Sequence, residues 1–243
     1  MPPAAHLFIP CFIDQIYPQT GIATVNILRE LGCELIYPEE QTCCGQPAFN
    51  TGYWREAAPL AERFLRIFSE AEYIVAPSGS CAAMVKHAYG ELPLSDEARS
   101  RWERERSRVY EFSQFLTEIL GVERWEGYFP AKVTYHDSCH GLRELGISEK
   151  PRQLLKSIRG LEFIEMERPD TCCGFGGTFA AKFAGISTAM AENKARWIQE
   201  SGAEYLVAGD SSCLMHIEGY LQRQKIPIKT RHLAEILWEA RKK

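Results

Sequence analysis

Cysteines dominate the chemistry that this sequence offers. Eight of its nine cysteines fall into two sets with nearly the same spacing. The sets are Cys11, Cys43, Cys44 and Cys81, and Cys139, Cys172, Cys173 and Cys213. The first two members are 32 residues apart in one set and 33 in the other, and the last two are 37 and 40 residues apart. Two sets of four thiolates indicate two soft-metal centres, and they favour iron–sulfur clusters.

Each set contains an adjacent cysteine pair followed by glycine, Cys43-Cys44-Gly45 and Cys172-Cys173-Gly174. Structural zinc sites use two cysteines separated by two to four residues, whose thiolates reach one ion. Neither set has such a hook, because Ser78 and Asp210 stand three residues before the last cysteines. Adjacent cysteines bind different irons of one cluster more easily than one tetrahedral ion, and glycine lets the backbone turn its amides toward sulfur. The motif therefore favours a cluster.

Other interpretations of the two sets stay open. One zinc ion per half would hold the chain together without redox activity, and zinc in one half with iron in the other fits the same ligands. Alternatively the thiols are buried free cysteines, since cysteine is among the most buried residue types. Structural disulfides suit a chain of 243 residues with 45% hydrophobic residues poorly. Cys33, outside both sets, is predicted to be a core residue.

Charge and termini exclude several classes of function. A net charge of −4 gives no electrostatic footprint for nucleic acid or an anionic membrane surface. Residues 1–6 lack the basic region and apolar core of a signal peptide. No apolar run approaches the ~20 residues of a spanning helix. We therefore expect a cytoplasmic protein without direct membrane insertion, where reducing conditions disfavour disulfides.

The duplication extends beyond the cysteines. Residues 71–76, AEYIVA, precede the last cysteine of the first set, and residues 203–208, AEYLVA, precede that of the second. Similar amphipathic segments close each half at residues 116–120 and 233–237. We predict a first repeat with a helical connector over residues 1–127 and a second repeat over residues 128–243.

Short apolar runs alternate with helical patterns in each half. Strands are predicted at residues 6–10, 34–37, 73–76, 132–135, 161–164 and 205–207, and helices at residues 20–31 and 54–69. This alternation predicts parallel sheets covered by helices, and hence two Rossmann-like α/β subdomains related by internal duplication. Because the carboxyl ends of parallel strands share one edge, cysteines that follow the strands converge there.

Histidines distinguish the second set from the first. His136, Asp137 and His140 surround the first cysteine of that set, and His216 follows its last cysteine by three residues. Such groups ligate iron, donate hydrogen bonds to cluster sulfur or move a proton during substrate oxidation. A single histidine in this position more often caps a helix. As a group, these four residues are the candidates for catalysis and make the second half the candidate reactive half.

At the two Cys-Cys-Gly motifs the sequence resembles the cysteine-rich, or CCG, domain family. The resemblance is carried by PQTGIA (residues 18–23), PEEQTCCGQP (38–47), TYHDSCH (134–140), CCGFGGTF (172–179) and SCLMH (212–216). The family includes the cysteine-rich subunit of heterodisulfide reductase and the iron–sulfur subunits of glycolate oxidase and anaerobic glycerol-3-phosphate dehydrogenase. The likeness is strongest to its lactate-utilisation members. The family motif ends in C-x-x-C and supplies five cysteines to a noncubane 4Fe–4S cluster, whereas Ser78 and Asp210 replace the first cysteine of each terminal pair here.

The resemblance implies a subunit of a flavin-independent iron–sulfur system that oxidises L-lactate to pyruvate. The eight paired cysteines would bind 4Fe–4S-type clusters, with zinc as the alternative in one site. Electrons would pass to a ferredoxin-domain iron–sulfur subunit, and a third, smaller subunit would complete the system. Three alternatives are a zinc-stabilised assembly subunit of a redox complex, a CCG subunit of another 2-hydroxy-acid or heterodisulfide-type oxidoreductase, and thiol–disulfide exchange through the adjacent cysteines.

Overall fold

Two four-stranded parallel sheets organise residues 3–241, the part of the chain that the computed structural model describes. Their strands are β1 (Ala4–Leu7), β2 (Glu34–Ile36), β3 (Tyr73–Ala76), β4 (Val109–Glu111), β5 (Lys132–His136), β6 (Glu162–Phe163), β7 (Tyr205–Ala208) and β8 (Lys229–His232). The strand orders β2-β1-β3-β4 and β6-β5-β7-β8 repeat one topology. Ala5 pairs with Leu35 and Tyr73, and Val133 pairs equivalently with Phe163 and Tyr205. The prediction of two Rossmann-like subdomains related by duplication is confirmed.

Helices cover both faces of each sheet. They are α1 (Cys11–Ile16), α2 (Pro18–Glu30), α3 (Gln46–Thr51), α4 (Trp54–Ile67), α5 (Gly79–Lys86), α6 (Asp96–Glu105), α7 (Phe112–Gln114), α8 (Cys139–Arg143), α9 (Glu149–Lys156), α10 (Thr178–Lys182), α11 (Ala184–Ser201), α12 (Ser211–Arg223) and α13 (Leu233–Arg241). The helix predicted at residues 20–31 is α2, which begins with proline at its first position and ends before Gly32 at φ 84°. Among residues 3–241, none of the helices combines the length and apolarity needed to cross a membrane.

Two strands, β4 and β8, were not predicted. Strand β8 contains no apolar residue, yet Thr230 and His232 are buried because β8 pairs with β7. Strand β4 has three residues and lies within the stretch expected to be a helical connector, where it completes the first sheet beside β3. The bounds of the two repeats, 1–127 and 128–243, stay a prediction, and residues 1, 2, 242 and 243 lie outside the described part of the chain.

The two halves share one hydrophobic core. Its buried members come from both sheets and from the segments that close each half; they include Leu7, Val75, Leu116, Val133, Val207 and Leu233. The closing segments are a π-helical turn at Phe115–Ile119 and helix α13. Each sheet also buries its other face in a core of its own, around Phe8 and Phe64 in the first half and around Ile198 and Leu214 in the second. The halves are therefore held in one arrangement by apolar burial.

Polar contacts also connect the two halves. Helix α2 of the first half packs on α13 of the second, and the Thr20 hydroxyl donates to Glu235 Oε1 at 2.7 Å. Helices α5 and α8 approach so closely that a Cβ on Gly79 would lie 3.1 Å from the Cα of Gly141. The carboxyl-terminal edges of the two sheets consequently face each other.

Candidate metal centres

The eight cysteines of the two sets all follow the carboxyl ends of strands. Cys11 begins α1 after β1, and Cys139 begins α8 after β5. Cys81 and Cys213 lie in the first turns of α5 and α12, which follow β3 and β7. The adjacent pairs lie in the loops between β2 and α3 and between β6 and α10. Each set thus collects one cysteine segment from each of three neighbouring strands.

The sulfur atoms of each set form a hydrogen-bonded chain. In the first half Cys43 interacts with Cys11 and Cys44, and the sulfur atoms of Cys44 and Cys81 lie 3.4 Å apart. The second half repeats the same order, Cys139 to Cys172 to Cys173 to Cys213. All eight are free of disulfide bonds. Four adjacent soft donors per half suit a thiolate-bound cluster.

One cysteine in each chain of sulfur atoms is held as a thiolate. The Cys43 sulfur accepts a hydrogen bond from Cys11, a second from Cys44 and a third from the Gly45 amide at 3.4 Å, which lowers its pKa to about 3. The pKa of Cys11 is raised in turn, chiefly by its hydrogen bond to Cys43 and then by burial.

The second half repeats this electrostatic arrangement. Hydrogen bonds from Cys139 and Cys173, opposed by burial and supported by the Gly174 amide, lower the pKa of Cys172 to about 2. The thiolate is the metal-binding form of cysteine, so both sets present a ligand that is already deprotonated at neutral pH.

Both sets open into one cleft between the two halves. The cleft has a volume of about 170 Å³, and all eight cysteines line it. Phe12 and Phe175 meet across it, with ring centroids 5.8 Å apart. The sequence predicted that each set converges but not that the two sets face each other, because nothing in the cysteine spacing reports how the halves dock.

Ser78 and Asp210, the two departures from the C-x-x-C pattern, cap helices at the base of the cleft. The Ser78 hydroxyl accepts from the Cys81 amide at 3.3 Å within its own half. Asp210 reaches across the join, where its Oδ2 accepts from the Ser80 amide of α5 at 2.8 Å. A carboxylate at a helix N-terminus compensates the unpaired amides there.

His136 is the predicted histidine that lies against the cysteines. It is fully buried at the end of β5, and a ring nitrogen, Cys173 Sγ and Cys213 Sγ all lie within 4.8 Å of one another. Neither ring nitrogen makes a hydrogen bond of good geometry within residues 3–241, although the carbonyl oxygen of residue 169 is close enough to act on the ring. Burial, followed by the charge of Lys194, lowers the pKa of His136 to about 3, so the imidazole is neutral.

The other three candidate residues have polar partners other than the cysteines. Asp137 forms a buried two-pronged ion pair with Arg152, both N–O distances being 2.8 Å. His140 is partly exposed at the cleft, and its Nδ1 contacts Glu144 at 2.6 Å. His216 Nε2 lies 3.1 Å from the hydroxyl of Ser187. Of the four, His140 alone lines the cleft.

Two residues near the second set were not singled out in the sequence. Ser187 donates to the carbonyl oxygen of Gly174 at 2.8 Å and so links α11 to the Cys-Cys-Gly turn. Lys194 is fully buried on the same helix. Both stand in an ordinary helical pattern, and no sequence signal marks them. Cys33 lies in the shared core, where the sequence placed it.

Comparisons with known proteins agree with this geometry. The family model for the cysteine-rich (CCG) domain matches residues 5–86 and 133–218, one copy in each half. "Lactate utilization protein A" of Halalkalibacterium halodurans is 47% identical over 233 residues, covering 95% of each chain. "Lactate utilization protein A 1" of Bacillus mycoides is 45% identical over 240 residues, covering 97% of each chain.

A solved structure shares the fold. A hypothetical protein from Helicobacter pylori matches with a TM-score of 0.70 and 12% identity, covering 99% of this chain and 49% of that one. This chain therefore spans about half the length of that protein, and at this identity the likeness shows the fold alone. The family model and the two full-length relatives carry the assignment: the chain belongs to the lactate utilization protein A family of cysteine-rich, CCG-domain proteins.

Proposed function

We propose that this chain is the iron–sulfur subunit of a cytoplasmic, multiprotein system that oxidises L-lactate to pyruvate. In this proposal the two cysteine sets bind 4Fe–4S-type clusters and pass electrons to a ferredoxin-domain partner, with a third, smaller subunit in the system. The observation that carries it is the convergence of two four-sulfur sets on one cleft. The name of the relatives, lactate utilization protein A, supports the substrate, and its letter supports a system of several proteins.

The residues of this chain supply binding and shielding. Cys43 and Cys172 are the thiolates that need no deprotonation on binding, and the amides of Gly45 and Gly174 stabilise their charge. Phe12 on the cleft wall limits the access of water. When bound, iron–sulfur clusters supply one-electron acceptors for the two electrons that leave a 2-hydroxy acid as it becomes a 2-oxo acid.

Anaerobic purification of the chain with the products of its neighbouring genes tests the proposal. We expect iron and acid-labile sulfide in the protein, electron paramagnetic resonance signals on reduction, and lactate-dependent reduction of an artificial acceptor. Cys44→Ser and Cys173→Ser should each lose iron and this activity. Cys33→Ser, which changes a core cysteine outside both sets, is the matched control and should keep both. A colourless protein that contains only zinc would rule out the redox role.

A zinc-stabilised assembly subunit is the second candidate. The observation that favours it is the group of His136, Cys173 and Cys213, whose donor atoms are close enough to share one ion. In that case Cys173→Ser should release zinc and weaken binding to the partner proteins, while the purified complex should contain no iron assignable to this chain. Metal analysis of the wild type and of Cys173→Ser separates the two candidates.

A further inference from the structure

The two halves differ in chemistry behind the cysteines, although their backbones repeat. Three residues before the first cysteine of each set stands Phe8 in the first half and His136 in the second. Both are fully buried at the carboxyl ends of the central strands β1 and β5. Phe8 packs edge-on against Phe64 of α4, with ring centroids 4.9 Å apart. The first set is therefore backed by hydrocarbon.

The helices that pack behind the two cysteine sets also differ in the residues they place there. The carbonyl oxygens that face the glycine of each Cys-Cys-Gly turn belong to Ala57 on α4 and Ser187 on α11. Seven residues further along stand Phe64 and Lys194. The Lys194 ammonium is anchored by the carbonyl oxygens of residues 168 and 169, at 2.8 and 3.2 Å. The second set is therefore backed by an imidazole and a fixed cation where the first has two phenyl rings.

The described residues of the protein do not satisfy the hydrogen-bonding capacity of the buried His136 ring. Both ring nitrogens are buried and make no hydrogen bond of good geometry in the described part of the chain, and the carbonyl oxygen of residue 169 is close enough to act on the ring. One backbone oxygen satisfies at most one of the two nitrogens, and proteins rarely leave a buried nitrogen uncompensated. A ring nitrogen lies within 4.8 Å of Cys173 Sγ and Cys213 Sγ, which themselves lie within that distance of each other. Neutral imidazole is a common ligand of iron and zinc. A metal ion held by the two thiolates would satisfy the nitrogen that faces them.

We propose that His136 is a nitrogen ligand of the second centre, so that the two centres are chemically unlike: the first bound by thiolates alone, the second by nitrogen and sulfur. The identity of the metal as a cluster iron rests on the proposed function. The fixed positive charge of Lys194 acts on Cys173 and Cys213 and favours the more negative, reduced state of the second centre, which raises its reduction potential. Electrons within this subunit should therefore settle on the second centre.

Histidine-specific ¹⁵N labelling tests this ligand directly. The full chain is labelled with ¹⁵N-histidine, purified anaerobically with its partners and reduced, and the nitrogen hyperfine coupling of the paramagnetic centres is measured. Because only histidine carries the label, a ¹⁵N signal reports histidine alone. We expect a strong histidine coupling in the wild type and its loss in His136→Phe, which installs the first-half residue. His140→Phe, which removes a partly exposed imidazole of helix α8, should retain the coupling.

The second variant and a second technique keep the test decisive. His136→Cys supplies another soft donor, so it should retain metal in the second centre while losing the ¹⁵N coupling. If neither variant folds, retention of the coupling in both His140→Phe and His216→Gln supports His136. Iron clusters without histidine coupling in the wild type, or a coupling that survives in His136→Phe, would overturn the inference. If the protein holds zinc and no iron, the proposed function fails. X-ray absorption at the zinc edge then tests the ligand. A histidine shell that is lost in His136→Phe supports the inference, and the absence of a histidine shell overturns it.

Discussion

At the scale of single residues, the cysteines of one set differ in pKa because each has a different place in the hydrogen-bonded chain of sulfur atoms. Cys43 accepts from Cys11 and Cys44 and from the Gly45 amide, so its pKa falls, whereas Cys11 donates and its pKa rises. Cys11 is nevertheless the exposed member of the set. Exposure and acidity therefore point to different cysteines as the most reactive thiol of the metal-free protein.

Alkylation of the metal-free protein distinguishes them. At about pH 6, iodoacetamide should label Cys43 and Cys172 before Cys11, because the thiolate is the nucleophile and both have a pKa well below that pH. Labelling of Cys11 should rise only in alkaline solution. Peptide mass spectrometry over a pH series measures the order, with buried Cys33 as the unreactive reference. Faster labelling of Cys11 at about pH 6 would show that access and not charge governs these thiols.

At the scale of elements, the turns that follow the two cysteine pairs differ in how strongly each one requires glycine. Gly45 and Gly174 have φ angles of 87° and 92°, in the left-handed region where a side chain is strained. A Cβ on Gly45 would meet its nearest neighbour at 3.5 Å, which is ordinary contact. A Cβ on Gly174 would lie 2.8 Å from both the Ser187 carbonyl oxygen and Met190 Cβ. Helix α11 therefore packs against its turn more tightly than α4 does.

Alanine substitution should separate strain from crowding. Gly45→Ala introduces only the strain of the left-handed conformation, which costs about 1–2 kcal/mol. Gly174→Ala introduces the same strain and in addition displaces α11, at a further cost of about 1–3 kcal/mol. Chemical denaturation of the two variants measures the difference in the free energy of unfolding. Gly202→Ala, at φ 72° with no neighbouring atom within 4 Å, is the control for conformational strain alone. Equal losses in Gly45→Ala and Gly174→Ala would contradict the close packing of α11.

At the scale of the whole molecule, the join between the halves buries a carboxyl group beneath the cleft. Glu111 ends β4 of the first sheet, and its Oε2 accepts from the amides of Ser113 and Gln114 at 2.7 and 3.3 Å. Its Oε1 has no hydrogen-bond partner within residues 3–241 and faces Gly209 of the second half. Burial raises the pKa of Glu111 from 4.5 to about 7, against hydrogen bonds that lower it.

This pKa links folding to pH. Because the folded state holds the proton more tightly than the unfolded state, the stability from Glu111 is complete below pH 4.5 and is lost as pH rises through about 7. At about 1.4 kcal/mol per pKa unit, the loss amounts to roughly 3 kcal/mol. Glu111→Gln, which stays neutral, should lose less stability than the wild type between about pH 5 and about pH 8. Urea unfolding at each pH measures this, with exposed Glu103→Gln as the control. Parallel pH curves for wild type and Glu111→Gln would show that Glu111 titrates normally.

The sequence by itself determined the two cysteine sets, their placement after strands and the duplicated parallel α/β fold. These follow from local patterns: the apolar runs of β1, β3, β5 and β7 and the spacing of the cysteines depend on neighbours along the chain. The tertiary structure alone decided that the sets share one cleft, that Asp210 caps a helix of the other half, and that His136 and not Asp137 faces sulfur. It also revealed β8, whose polar residues form a strand only beside β7. The physical reason is that the docking of the two halves depends on a core of residues far apart in the sequence, such as Leu7, Val133 and Leu233. No local sequence pattern shows which of these residues will pack together.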